Sequence, residues 1–421
     1  MRTMKDSGIE WIGEIPLDWG TSKMRYIGQY INGYAFKPDD WSSEGKRIIR
    51  IQDLTGTNNN PNYYAGQLPD KYNVTAGDIL VSWAATLDAF IWNNDDAWLN
   101  QHIFKAICFP KVIDKNFFFW VLKEAMENMN NDNKHGIVMQ HITLSVFSNF
   151  TIPLPPKLVQ RRIANYLDRK CGQIDTIIAR QQEVIEKLKA YKLSVITEAA
   201  TKGLNPDTPM KDSGVEWIGE IPEYWQLSHI GNLVEMGSGG TPDRKKPEYW
   251  ENGNIPWMSS GEINDEYIYS TTEHITELGL QNSNAKILPV NTVMLGLIGQ
   301  GKTKGLTAIL KTEVCCNQNL AYLIADEKYL HYRYLFYCFK AMYFYIRGLV
   351  GESQAGIYSY FLKKLHIPLP DIEQQIRISD YLDAKCEAIK SSINKRERII
   401  EKLTGYKKSL IYEVVTGKKE V

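Results

Sequence analysis

A phosphate-binding pattern stands out among the residues that could carry out chemistry. Residues 296–303, GLIGQGKT, satisfy GxxxxGK[ST], in which backbone amides cradle phosphates ahead of a helix. Here a strand-like run follows the lysine and threonine, and the matching stretch of the first half, residues 82–90, contains neither glycine nor lysine. We therefore interpret the segment as a glycine-rich hairpin between two strands and not as a nucleotide site.

Two other fragments approach catalytic motifs but lack an essential part. NPNY at residues 60–63 is missing the second proline of the motif with which amino-methyltransferases hold a flipped base, and no glycine-rich turn for a methyl donor accompanies it. Residues 326–328, DEK, supply an acidic-x-Lys fragment of the nuclease type without an upstream Pro-Asp. The seven histidines follow no triad or HxxxH spacing. The sequence therefore predicts no catalytic centre.

Composition narrows the class of protein. With 43% apolar and 23% charged residues over 421 positions, the chain predicts a folded protein of two to four domains. The 49 basic residues equal the 49 acidic ones, so any affinity for nucleic acid must come from the local arrangement of charge. The six cysteines show no CxxC pair, which favours buried thiols over a zinc site or disulfides.

The N-terminal segment carries Asp6 and Glu10 where a secretory signal needs an apolar run. No stretch reaches the ~18 uncharged apolar residues of a membrane span. We therefore expect a cytoplasmic protein with no membrane contact.

The elements that position these residues occur twice. MKDSGIEWIGEIPLDW at residues 4–19 returns as MKDSGVEWIGEIPEYW at 210–225, and IPLPPKLVQRRIANYLDRKC at 152–171 returns as IPLPDIEQQIRISDYLDAKC at 367–386. Between these repeats lie divergent segments whose Val, Ile, Tyr and Trp runs, broken by Gly, Asn and Pro, predict strands and turns. The aromatic-rich stretches 116–129 and 329–347 each predict one helix, so each segment is expected to be an α+β domain.

A long heptad pattern follows each IPLP turn. Mostly apolar positions step by four and three, and a polar residue occupies the central position of each tract. Each tract predicts a helix of about 40 residues, or ~60 Å. We expect the two helices to pair antiparallel within one chain, with separate coiled-coil dimerisation as the alternative. The predicted pairing residues are Leu167, Cys171, Ile174, Ile178, Gln181, Ile185, Leu188, Lys192 and Val195 with Leu382, Cys386, Ile389, Ile393, Arg396, Ile400, Leu403, Lys407 and Leu410.

The chain resembles the specificity subunits of type I restriction-modification systems. The resemblance rests on the duplicated GxEWIGEIPxxW, on GGTPDRKKPEYWENGNIPWMSSGEI at residues 239–263, on GDIL at 77–80, on the IPLP turns and on the duplicated helices, and it covers nearly the whole chain. It implies an α+β fold with two globular α/β target recognition domains, separated by two long antiparallel coiled-coil helices and related by a pseudo-twofold internal repeat.

The resemblance also sets the expected domain boundaries and partners. The expected segments are an N-terminal signature (1–19), a first recognition domain (20–151), a first long helix (152–204), a linker with the second signature (205–225), a second recognition domain (226–366) and a second long helix (367–421). By resemblance, each domain reads one half of a bipartite asymmetric site in double-stranded DNA. The helices and signatures are expected to dock two methyltransferase subunits, and endonuclease/translocase subunits join them. This chain itself is expected to bind no cofactor, since S-adenosylmethionine, ATP and Mg would sit on the partners.

Polar clusters supply the candidate DNA contacts, because Lys and Arg contact phosphates while Gln, Asn, Arg, Ser and Thr match base edges. A recognition chain fused to a type II-like methyltransferase or nuclease, and a coiled-coil adaptor that does not touch DNA, are the alternative interpretations. The predicted contact residues are Lys37, Lys46, Arg47, Arg50 and Gln52 in the first domain, and Ser238, Thr241, Arg244, Lys245, Lys246, Ser259, Ser260, Gln300, Lys302 and Lys304 in the second.

Overall fold

The computed structural model describes residues 2–132, 142–299, 303–349 and 356–421. The chain divides into two compact units, Met1–Gln181 with Arg398–Val421, and Gln182–Glu397. These limits cut both long helices, whereas the predicted domain boundaries follow the repeats, so those boundaries stay a prediction. No helix in the described part of the chain is long and apolar enough to cross a membrane.

The first unit contains twelve strands and three short to medium helices among its described residues, together with parts of the two long helices. The strands are β1 Met4–Asp6, β2 Glu14–Pro16, β3 Gly20–Lys23, β4 Gly28–Asn32, β5 Lys46–Ile49, β6 Asn62–Tyr64, β7 Asn73–Val74, β8 Ile79–Ser82, β9 Asp88–Ile91, β10 Ala97–Leu99, β11 Ile103–Cys108 and β12 Thr151–Leu154. The helices are α1 Ile51–Leu54, α2 Lys115–Asp132 and α3 Leu144–Asn149.

The second unit also contains twelve strands among its described residues, but its short helices fall at different places between them. Its strands are β13 Met210–Asp212, β14 Glu220–Pro222, β15 Gln226–His229, β16 Val234–Ser238, β17 Ile255–Met258, β18 Tyr267–Ile268, β19 Glu273–Ile275, β20 Val293–Gly296, β21 Thr307–Leu310, β22 Cys315–Cys316, β23 Leu320–Ala325 and β24 His366–Leu369. Its own helices are α5 Glu277–Gln281, α6 Tyr332–Ala341, α7 Tyr343–Leu349 and α8 Ser359–Lys364, and the long helices are α4 Lys157–Lys202 and α9 Ile372–Val415.

Two sheets form the body of each unit. In the first unit they run in the orders β6-β5-β10-β7 and β4-β11-β8-β9, and in the second β16-β23-β20-β21-β18 and β19-β17-β22. Most neighbours pair antiparallel, but β5 with β10, β17 with β22 and β18 with β21 pair in parallel. The first two of these parallel pairs occupy the same place in the repeat, and each brings the carboxyl ends of two strands to one edge.

In each unit, the repeated signature is hydrogen-bonded to a two-stranded antiparallel ribbon. The Trp11 indole donates to the carbonyl of Thr151 at 3.0 Å in the first unit, and the Trp217 indole donates to the carbonyl of His366 at 3.2 Å in the second. The ribbons β3–β12 and β15–β24 precede the long helices directly. The duplicated tryptophan therefore has the same structural role in both halves.

A buried glutamine at the start of each long helix repeats this correspondence. The side chain of Gln160 accepts from the Asp114 amide at 2.7 Å and donates to the carbonyl of Pro155 at 2.8 Å. Gln375 accepts from the His331 amide at 2.8 Å and donates to the carbonyl of Pro370 at 2.9 Å. Each glutamine thus ties the first turn of a long helix to the loop before the helix of its domain.

In the first unit, the beginning of α4 packs against the end of α9. Ile163, Leu167 and Ile174 share a buried cluster with Leu410 and Val414. Asp175 pairs with Lys407 at 2.6 Å, while the earlier Arg162 contacts the carbonyl of Val421. The later residue of α4 thus contacts the earlier residue of the C-terminal segment, and the earlier residue of α4 contacts the later one. The two segments therefore run antiparallel.

In the second unit, the end of α4 and the beginning of α9 belong to one core. Val195, Ile196 and Ala199 cluster with Ile378 and Leu382. α4 ends where expected, since Gly203 follows it with φ +77° in the left-handed region that favours glycine. The Trp225 ring packs against this turn.

The sequence-based helix predictions succeed in the first domain and fail in part in the second. α2 covers the predicted 116–129 as one helix, but the predicted 329–347 consists of α6 and α7. The break falls at Met342, whose amide bonds to the carbonyls of Cys338 and Lys340. A periodic aromatic pattern does not reveal this change of hydrogen bonding, because Phe339 before the break and Ile346 after it are both buried.

The predicted glycine-rich hairpin is confirmed by the strand pairing. β20 pairs antiparallel with β21, and the described residues after Thr303 form a turn that leads into β21. Five cysteines are buried as expected, whereas Cys108 is half-buried. Burial raises the pKa of these thiols, for example to about 12 at Cys338.

Candidate DNA interface

The carboxyl ends of the parallel strand pairs gather the polar candidates in each domain. In the first domain, Arg50 follows β5, and the sequence Asn100-Gln101 follows β10. In the second, Ser259 follows β17, and Asn317-Gln318 follows β22. Because the strands are parallel neighbours, the residues after them share one edge of the sheet. We call these two places the first and second carboxyl-end edges.

A turn held by a carboxylate shapes each edge. The backbone amide of Arg50 donates to Asp53 at 2.7 Å, and the amide of Ser259 donates to Glu262 at 2.6 Å. The two carboxylates therefore occupy equivalent positions at the beginning of a short helical turn. The predicted contact residue Ser260 lies in this turn and is half-buried.

At the first carboxyl-end edge, the predicted residues Arg47 and Arg50 already contact other side chains of the domain. Arg47 pairs with Asp53, whose side chain is fully buried. The guanidinium of Arg50 donates to Asn62 at 3.0 Å and lies over the Trp41 ring. These contacts hold both guanidinium groups in defined orientations at the edge.

The other candidates of the first domain differ in exposure. Gln52 and Lys37 are exposed, and the backbone amide of Lys37 donates to Asp40. Lys46 is half-buried because its ammonium donates to Asn73 at 2.9 Å and lies 4.2 Å from the centre of the Trp98 ring. Lys46 thus contributes mainly to packing within its domain.

At the second edge, a hydroxyl fixes an exposed amide. Thr241 donates to the side-chain oxygen of Gln318 at 2.5 Å. The loop that carries Thr241 lies close to the strand end, since the Gly240 amide donates to the carbonyl of Cys316. A Cβ atom at Gly239 would lie 1.9 Å from that same carbonyl oxygen, so the approach requires glycine.

Arg244 lies in the same loop, three residues after Thr241, where its guanidinium stacks on aromatic rings and pairs with a carboxylate. Its guanidinium lies 3.8 Å from the centre of the Trp250 ring and 4.9 Å from that of Trp257, and it forms two hydrogen bonds to Glu273. The hydrogen bonds from Arg244 lower the pKa of Glu273. The planar guanidinium thereby joins the loop to β19.

Three other candidates flank the second edge on its exposed side. Ser238 and Lys245 are exposed, and Lys246 is exposed with its ammonium donating to the Tyr249 hydroxyl at 3.1 Å. The positive charges of Lys245 and Lys246 are available to phosphate groups. The structure therefore brings Thr241, Lys245 and Lys246 into one loop, as the sequence suggests.

The predicted contact residues of the glycine-rich hairpin cannot all be placed with the exposed residues of the Thr241 loop. Gln300 and Lys302 lie outside the described residues. Lys304 is 9% exposed, and its carbonyl accepts from Arg347 at 2.9 Å. This burial places Lys304 among the structural residues of its domain and not on an open surface.

The predicted pairing residues of the long helices are all shielded from solvent, completely or in part. All eighteen heptad positions are buried or half-buried, whereas neighbours such as Arg180, Gln182 and Lys395 are exposed. Gln181 and Arg396 are both half-buried. As the central members of two antiparallel heptad tracts, they are predicted to lie opposite each other, and this placement stays a prediction.

Four residues of the two edges are not among the contact residues predicted from the sequence, namely Gln101, Gln318, Asp53 and Glu262. The Asn-Gln pair was visible as a match between the two halves, but only the strand pairing places it beside the other residues of each edge. Glu273 gave no local signal, because Arg244 reaches it from another loop.

Comparison with known proteins agrees with this architecture. The family model for the type I restriction modification DNA specificity domain matches residues 16–187 and 222–402, which is one copy for each repeat. The chain is 25% identical to the type I restriction enzyme EcoBI specificity subunit of Escherichia coli, over 92% of this chain and 84% of that protein. It is 26% identical to the MjaVIII specificity subunit of Methanocaldococcus jannaschii, over 82% and 80% of the two chains.

A solved structure that addresses complex assembly and conformational transition of the type I R-M system has the same fold. Its TM-score is 0.72 at 16% identity, and the match covers 96% of this chain and 99% of that one. The specificity subunit of such systems is the noncatalytic, DNA-recognising component. With two copies of the family domain, a duplicated signature and two long helices, this chain belongs to the type I restriction-modification DNA specificity subunits.

Proposed function

We propose that each recognition domain reads one half of a bipartite asymmetric DNA site through its carboxyl-end edge. The observation that carries this proposal is the difference between equivalent positions on one fold. Arg50 stands where the second domain has Ser259, and Ala35 stands where it has Thr241. The same scaffold therefore presents different hydrogen-bonding groups, as two readers of different half-sites require.

We also propose that the long helices and the two signatures bind two methyltransferase subunits, and that endonuclease/translocase subunits join this assembly. Two copies of one structural repeat offer two similar surfaces, which supports two copies of one partner. On this proposal S-adenosylmethionine, ATP and Mg²⁺ bind to the partner subunits, and the complex acts on DNA in the cytoplasm.

Exchange of one domain tests whether each domain reads its own half-site. Replacing residues 20–151 by the corresponding domain of a relative, and sequencing the DNA methylated by the complex with its methyltransferase, is expected to change one half-site only. A change in both half-sites would show joint reading. The matched exchange of residues 226–366 serves as the reciprocal control.

Two outcomes would favour the alternatives. Methyl transfer or cleavage by the purified chain alone would support a fused enzyme. A complex whose methylation shows no dependence on either domain would support an adaptor that does not touch DNA.

A further inference from the structure

We propose that Gln318, fixed by Thr241, selects an adenine in the half-site of the second domain. This inference rests on the proposed function, since it assigns one base contact to the second carboxyl-end edge. It concerns the pair Thr241 and Gln318, of which only the glutamine has an equivalent in the first domain.

The position of Gln318 is rigidly determined by its backbone. The Asn317 amide donates to the carbonyl of Met258 at 3.1 Å, so the turn after β22 is tied to the end of β17. The Asn317 side chain accepts from the Asn319 amide at 3.1 Å and closes the turn. Between these two anchored residues, the Gln318 side chain is exposed.

The hydroxyl of Thr241 sets the orientation of the Gln318 amide group. Because Thr241 donates to the Gln318 oxygen, one lone pair of that oxygen is used and the amide plane is fixed. The second lone pair and the NH₂ group remain side by side on the amide edge. The exposed side chain thus presents one acceptor and one donor in a fixed arrangement.

This arrangement complements adenine among the four bases. In the major groove adenine offers the N7 acceptor beside the N6 amino donor, so a glutamine amide forms two hydrogen bonds with it. Guanine offers two acceptors, N7 and O6, and its O6 would face the acceptor of Gln318. Lys245 and Lys246, which are exposed in the loop that carries Thr241, supply charge for phosphate contacts.

The first domain provides a natural contrast. Gln101 occupies the equivalent position, and the Tyr34 amide donates to the carbonyl of Leu99 just as the Gly240 amide donates to that of Cys316. Ala35 therefore stands where Thr241 stands and carries no hydroxyl. Both domains possess the glutamine, but only the second has this hydroxyl to orient it.

The test measures methylation by the full complex with its cognate methyltransferase, on DNA randomised one base pair at a time. Gln318→Glu removes the donor and leaves acceptors, so methylation of the original site is expected to fall at least about ten-fold. The preference at one A·T pair of the second half-site should shift toward cytosine, whose N4 amino group a carboxylate accepts. Thr241→Ala, which keeps the glutamine but releases it, should weaken discrimination at that same base pair by about three- to ten-fold.

The controls separate this inference from the proposed function. Gln226→Glu makes the same charge change at an exposed position of β15 and should leave both half-sites unchanged. Gln101→Glu should affect only the other half-site. Unchanged base preference in both Gln318→Glu and Thr241→Ala would overturn the inference while the proposed function stands. Absence of sequence preference in the unmodified complex would overturn the proposed function itself.

Discussion

Single residues show that the two halves, although copies, do not provide hydrogen-bond acceptors equally for their buried indole N–H groups. The Trp225 indole donates to Gln374 at 3.1 Å, whereas the buried indole nitrogen of Trp19 has no acceptor among the described residues. Val159 occupies the position equivalent to Gln374, seven residues after the isoleucine of each IPLP turn. The first unit therefore buries a donor that the second unit pairs.

Supplying the missing acceptor should stabilise the first unit. We expect Val159→Gln to raise the free energy of unfolding by about 1 kcal/mol, because an unpaired buried donor costs about 1–3 kcal/mol. Gln374→Val is the reciprocal variant and should lower it by a similar amount. Denaturant unfolding followed by tryptophan fluorescence measures both, and equal stability of all three proteins would contradict the explanation.

Glu124 makes the first unit sensitive to pH. It is buried in α2 beside Asn128, and burial raises its pKa to about 7 although Asn128 donates a hydrogen bond to it. The pKa in the folded state thus exceeds that in the unfolded state, so the folded protein is penalised as pH rises from about 4.5 to beyond 7.

Glu124→Gln removes this penalty while keeping an oxygen for Asn128. We expect the variant to be more stable than the parent by up to about 3 kcal/mol at pH 8 and equally stable at pH 4. Thermal unfolding at the two pH values measures the difference. A difference that does not depend on pH would show that packing, and not ionisation, is responsible.

At the level of elements, an ion cluster attaches the second domain to its part of the long helix. Glu266 precedes β18 and accepts from Lys192 of α4 at 3.1 Å and from Lys340 of α6. Burial alone would raise the pKa of Glu266, but the two ammonium groups lower it to about 2. One carboxylate therefore joins three elements.

Removing this charge should loosen the attachment. We expect Glu266→Gln to lower the free energy of unfolding by about 2 kcal/mol at pH 7, since it leaves two partly buried ammonium groups without a counter-charge. The folded-state pKa is lowered, so the stabilisation is complete above about pH 5 and disappears as pH falls toward 2. Unfolding curves of both proteins between pH 2 and pH 7 should converge at the acidic end, and parallel curves would contradict this account.

The elements that local pattern determines were predictable, and those that depend on distant partners were not. The heptad spacing gives α4 and its end at Gly203, because periodicity and a left-handed glycine are local signals. The parallel pairing of β17 with β22 depends on contacts between strands far apart in the chain, so the shared edge of Ser259 and Gln318 could not be inferred. The interruption at Met342 likewise needs the backbone geometry.

For the whole molecule, the two signatures are attached in the same way to two different helix ends. In the first unit Ile12 and Trp19 pack with Val414 and Val415 of α9, and Lys418 donates to the carbonyl of Ile12. In the second unit Ile218 and Trp225 pack with Val195, Ile196 and Ala199 of α4. Residues 203–209 also connect the second signature to α4 through the chain, whereas side-chain packing holds the first signature at the end of α9.

We therefore expect covalent continuity at residues 203–209 to be dispensable for the assembled fold. The first signature stays in place through contacts that the second signature also possesses, so a chain cut between Asn205 and Thr208 should remain one particle. An inserted protease site there, followed by cleavage and size-exclusion chromatography, measures this directly. Co-elution of the two fragments with unchanged sequence preference is the expected result, because α9 packs against the first unit and the second signature packs against α4. Separation without denaturant would show that packing alone does not hold the two fragments together.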